Sequence, residues 1–62
     1  MKIQWTNKYS GERGYVKTIH KKEKFFENTF NKEEAKTFTV RTLEKTIKAL
    51  ESYCEQNTYE AV

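Results

Sequence analysis

The sequence predicts an α+β fold, a small antiparallel sheet of three to four strands packed against one C-terminal amphipathic helix. Three observations carry that prediction. Near the start, apolar and polar residues alternate with period two. The chain's two glycines then fall together in Ser10-Gly11-Glu12-Arg13-Gly14, a hairpin connection. In the second half, Val40, Leu43, Ile47, Leu50 and Cys54 recur at the three- and four-residue spacing of one helix face.

The first strand is expected over residues 2–9, where Ile3, Trp5 and Tyr9 alternate with Lys2, Gln4, Thr6 and Lys8. A second strand over 13–20 follows from Tyr15, Val16, Thr18 and Ile19, residues that favour extended backbone. Its facing is open on sequence alone. If Val16, Thr18 and His20 turn inward, Arg13, Tyr15, Lys17, Ile19 and Lys21 form an outward stripe. The charged run Lys21-Lys22-Glu23-Lys24 marks the next turn, and a third strand spans 24–30 with Phe26 and Phe30 on one face. Asn31 followed three residues later by Glu34 has the capping-box spacing and opens a single helical turn at 32–35.

One continuous helix from there is disfavoured. Ala35 and Phe38 lie roughly 140° away from the Val40–Cys54 stripe at helical pitch, and Thr37-Phe38-Thr39-Val40 is a poor helix middle. The expectation is therefore a short strand at 37–41 and a helix over 43–56, capped by Thr42, with the last five residues frayed. The core is expected to be Ile3, Trp5, Phe26, Phe30, Phe38, Val40, Leu43, Ile47 and Leu50. All 62 residues form one domain in this reading.

Composition narrows the function. The net charge is +3, hydrophobic residues make up 35% and aromatics 15% of the chain, and there is neither Asp nor Pro. So small a chain has little core to spare, and aromatic packing or self-association must supply the rest. Cys54 and His20 are each the only residue of their kind, which leaves no disulfide, no zinc set and no nucleophile–base pair beyond a remote Cys–His dyad. Cys54 falls on the apolar helix stripe, where a thiol acts as a small hydrophobe. Gly11 and Gly14 join two strands, whereas a phosphate-cradling loop joins a strand to a helix. An enzyme, a cofactor, a metal and a small-molecule substrate are accordingly not expected. No apolar run is long enough for a membrane span, no secretory pattern follows Met1, and the expected location is cytoplasmic.

The charge is divided unevenly. Residues 1–24 carry a net +5, residues 25–41 are neutral and residues 42–62 carry −2. A basic hairpin with interleaved aromatics has the chemistry to track phosphates, so Lys8, Arg13, Tyr15, Lys17, Lys21, Lys22 and Lys24 are the candidate nucleic-acid-binding residues. The same lysines equally serve to keep an exposed sheet soluble and its edges blunt. The acidic helix offers a different surface, and Glu51, Tyr53, Glu55 and Tyr59 are its candidate protein-binding residues. The expected function is a non-enzymatic accessory nucleic-acid-binding or regulatory protein. The alternative is a small inhibitor or adaptor of phage or mobile-element type, acting on a protein partner or as a homodimer. Composition and size are similar in style to accessory proteins of such elements.

The segment Thr37 to Gln56, TFTVRTLEKTIKALESYCEQ, resembles the opening of a ribbon-helix-helix repressor. That resemblance implies a strand with Thr37, Thr39 and Arg41 facing DNA, but the family's second helix has no counterpart in residues 57–62. The basic strands followed by FNKEEA resemble the small three-stranded N-terminal domains of phage integrases. There the spacing from Phe30 to Ala35 is one residue short and the hairpin loops differ, so neither resemblance carries a function over.

Overall fold

A computed structural model describes residues 1–62. Strand β1 (Ile3–Asn7) is followed by β2 (Arg13–His20) and β3 (Phe25–Thr29). A single 3-10 turn (Lys32–Glu34), the helix α1 (Val40–Tyr53) and a last strand β4 (Asn57–Ala61) complete the chain. The four strands form one antiparallel sheet in the order β3-β2-β1-β4, with the helix packed on one face.

Alternation in β1 places Ile3 and Trp5 toward the helix, where both are buried. The register sets their neighbours: Trp5 stands between Gly14 and Tyr59, and Ile3 lies opposite Ala61. The indole ring covers Gly14 so closely that a Cβ there would sit 2.6 Å from ring carbon Cζ2. Val16, Phe38, Leu43 and Leu50 close the core, with Ile19, Phe26, Ile47 and Tyr59 packed around it.

Both hairpins owe their turns to local chemistry. The Asn7 Oδ1 accepts from the backbone N–H groups of Tyr9 and Ser10, and Gly11 takes a φ of +76° that other residues resist. At the second turn Lys24 itself adopts a positive φ of 57°. Beyond β3, Asn31 is the expected cap of the 3-10 turn, but its side chain accepts the Glu33 N–H at 3.0 Å and its own N–H donates to the Thr29 hydroxyl, so the reciprocal bonds of a capping box do not form.

Several expectations are corrected. No strand forms at 37–41, because Val40 and Arg41 already belong to the helix. Residues just before it run extended and are held at the sheet's end: the Lys36 N–H donates to the Val16 carbonyl, and Phe38 exchanges hydrogen bonds with Met1. The helix spans 40–53 rather than 43–56. Thr39 stands at the N-cap, and its carbonyl, not the Thr42 side chain, receives the first turn's N–H groups. Arg41 on a helix also removes the strand on which the repressor resemblance rested.

The last residues do not fray. Asn57–Ala61 pairs with the whole of β1, from Asn7↔Asn57 to Ile3↔Ala61. Two expected core residues are on the surface. Phe30 is 66% exposed because β3 ends before it, and its ring meets that of Trp5 only at a tilt, with centroids 6.3 Å apart. Val40 is 75% exposed because Phe38, in the extended lead-in, already fills the core at that end. The first strand stops at Asn7, which leaves Lys8 and Tyr9 exposed in the turn.

The closeness of Trp5 to Gly14 makes a direct prediction. Gly14→Ala forces the indole out of its place, and the expected loss is about 1–3 kcal/mol of stability in urea unfolding. Gly14→Ala unfolding at the wild-type midpoint would contradict this packing.

Candidate functional site

The candidate cations are arranged by the irregularity in β2. Pairing with β3 runs Tyr15↔Thr29 and Val16↔Asn28, then resumes at Thr18↔Glu27, Ile19↔Phe26 and His20↔Phe25. Lys17 is thus an extra residue, a β-bulge, and it reverses which side each later residue faces. Before the bulge Gly14 and Val16 face the helix; after it Ile19 does, and Lys21 follows on the same side. The expected outward stripe of Arg13, Tyr15, Lys17, Ile19 and Lys21 is therefore broken. Arg13 and Tyr15 keep the outward face, and by alternation Thr18 and His20 join them.

The face opposite the helix is covered only at one end. Register places Gln4, Tyr15 and Glu60 in one row, and Thr6, Arg13 and Thr58 in the next. Near Tyr15 the 3-10 turn leans on this face, with the Lys17 ammonium 3.9 Å from Glu34 and the Lys2 ammonium 2.7 Å from the Lys32 carbonyl. At the far end His20 stacks on Phe25, with centroids 4.6 Å apart and an angle of 17° between the rings. Its Nε2 lies 3.8 Å from the Glu27 carboxylate, too far for a hydrogen bond.

The seven candidate residues do not form one patch. Lys8 lies in the β1–β2 turn and Arg13 at the start of β2, while Lys21, Lys22 and Lys24 lie at the β2–β3 turn, with the rest of β2 between. Tyr15 is half-buried, while all six cations are exposed. Of these only Lys17 has a carboxylate within 4.0 Å. Lys8, Arg13, Lys21, Lys22 and Lys24 project without a neutralising partner.

The four candidates for protein binding are dispersed. Glu51 and Tyr53 are two positions apart on α1, hence about 200° around it. Tyr53 packs toward the core, and Glu55 lies in the turn after the helix. Tyr59 belongs to β4, where its ring meets Phe26 edge-on and its hydroxyl donates to the Cys54 carbonyl at 3.2 Å. No group of three or more His, Cys, Asp or Glu side chains is placed to hold a metal, and no helix is long and apolar enough to cross a membrane.

No protein family, no curated protein and no solved structure matches this chain.

Sequence reasoning missed the cleft between the end of β2 and α1. It has a volume of about 320 Å³ and joins Ile19 and Lys21 to Thr42, Lys45, Thr46, Ala49 and Tyr53. Only the bulge brings Lys21 there, and nothing in the residue pattern announces a bulge.

Burial of the Tyr59 ring pushes its hydroxyl above the ordinary tyrosine range, an effect the Asn57 hydrogen bond opposes and the nearby Cys54 and Glu51 reinforce. The folded protein therefore holds this proton more tightly than the unfolded chain does. Its contribution to stability is complete below the unfolded tyrosine value and is lost as pH rises above about 10. Tyr59→Phe should flatten the fall in urea-unfolding stability between about pH 9 and pH 11. An unchanged slope would contradict the burial of this phenol.

Proposed function

We propose that this protein is a small non-enzymatic nucleic-acid-binding or regulatory protein that holds phosphates through the cations of its β1–β2–β3 meander. The observation that carries this reading is the pairing state of those cations. Five of the six are exposed with no carboxylate near enough to neutralise them. Lysines that merely keep a sheet soluble are as useful when paired, whereas phosphate binding needs them free. Their division between the two turns, at opposite ends of β2, fits binding to separate phosphates on an extended backbone better than insertion of one ribbon into a groove. With only Arg13 among the strand cations, bidentate readout of guanine has little support, and binding should be weakly dependent on sequence.

A second reading has one observation in its favour. The outer edge of β4 carries no Lys, Pro or bulge, so its backbone is open to pairing with a partner strand. An inhibitor or adaptor, or a homodimer, would use that edge.

Fluorescence anisotropy with labelled single-stranded and duplex oligonucleotides, at two salt concentrations, separates the two. Binding should tighten as salt falls. The double variant Lys22→Glu/Lys24→Glu should weaken it at least about tenfold and lower the slope of log K against log salt by roughly 0.7–0.9 for each phosphate it no longer neutralises. No binding at low salt removes the first reading, and a mass that doubles with concentration in light scattering then favours the second.

A further inference from the structure

We propose that the cleft between β2 and α1 is a binding site for a phosphate monoester carried on an aromatic base, a nucleoside monophosphate or the phosphorylated end of a strand. The site goes beyond the meander cations and shares only Lys21 with them. Its two walls come from different elements. The strand side provides Ile19 and Lys21, and the helix side provides the remaining residues.

Three features specify the occupant. First, each wall contributes one lysine, Lys21 and Lys45, and neither has a carboxylate within 4.0 Å. No acidic residue lines the cleft, so the two lysines bring positive charge to it with no carboxylate among the lining residues to balance it. A dianionic phosphate balances both. Ammonium groups suit a phosphate as point charges, whereas a planar carboxylate is better matched by arginine, and the cleft has none. Second, the floor is apolar: Ile19, Ala49 and the Tyr53 ring are all half-buried and present hydrocarbon surface to a ring. Third, Thr42 and Thr46 line the helix wall one turn apart; the Thr42 hydroxyl already donates to the Thr39 carbonyl at 3.3 Å, which leaves the Thr46 hydroxyl to donate or accept. At about 320 Å³ the cleft lies at the low end of small-ligand sites, roughly 300–1,000 Å³, which favours one ring and one phosphate over a dinucleotide.

The test is a titration of the isotope-labelled full chain with adenosine 5′-monophosphate, followed by amide NMR. Saturable shifts are expected at Thr42, Thr46 and Ala49. Adenosine and inorganic phosphate, each with half the recognised chemistry, should bind at least about tenfold more weakly. Lys45→Gln should lower the affinity about tenfold, whereas Lys48→Gln, which removes the same charge outside the cleft, should bind like wild type. A 5′-phosphorylated oligonucleotide that displaces the nucleotide, where its 5′-hydroxyl counterpart does not, assigns the cleft to a strand end; failure of both assigns it to the free nucleotide. Absence of saturable shifts at those amides, equal binding of adenosine, or wild-type affinity in Lys45→Gln overturns the proposal. Loss of oligonucleotide binding in Lys22→Glu/Lys24→Glu with nucleotide binding retained would show the two sites failing separately.

Discussion

The second strand carries one residue more than its partner, and the rest of the molecule is arranged around that surplus. With Lys17 bulged, Val16 and Ile19 both face the helix although three positions separate them. The strand bends there, as bulges require. The bend lets the sheet curve around its core, so that Phe26 on one edge strand meets Tyr59 on the other, 5.9 Å between ring centroids. At the same place the Val16 carbonyl accepts the Lys36 N–H, which anchors the segment leading to the helix. Sheet curvature, helix position and the facing of Lys21 therefore share one local cause.

The second constraint is β1. It is paired on both sides and supplies two buried core residues, so it cannot shift register without exposing Ile3 and Trp5 together. On one side Gly14 gives the indole room. On the other, β4 closes the sheet and brings Tyr59 and Ala61 over the core. In a chain of this size the core carries much of the stability, since its one cysteine is free and no three ligating side chains come together.

What was legible in the sequence follows from this. Alternation at Ile3 and Trp5, the helical spacing of Leu43, Ile47 and Leu50, and the Asn31 cap are local signals, and each marks the element it belongs to. The strand β4 was not legible: Asn57-Thr58-Tyr59-Glu60-Ala61 has weak propensity and is made extended by its partner, a non-local effect. The helix start was misplaced because Thr39 and Thr42 are equally good caps by type, and the position of Phe38 in the core decides between them. The candidate cations were all visible as residues. The two turns that hold most of them were visible too, but the facing of Lys21 toward the helix was not, because one inserted residue reverses every later facing and leaves no mark in composition.

The Lys17 bulge sets the facing of everything after it in β2. A nuclear Overhauser spectrum of the labelled chain tests it most directly, since it reads both the register and the facing. Cross-strand peaks should join Val16 to Asn28 and Thr18 to Glu27, and the Ile19 methyl groups should show peaks to side chains of α1. The Thr18 methyl group should show none. A spectrum that pairs Lys17 with Glu27 and brings the Thr18 methyl, rather than Ile19, against the helix would contradict the account.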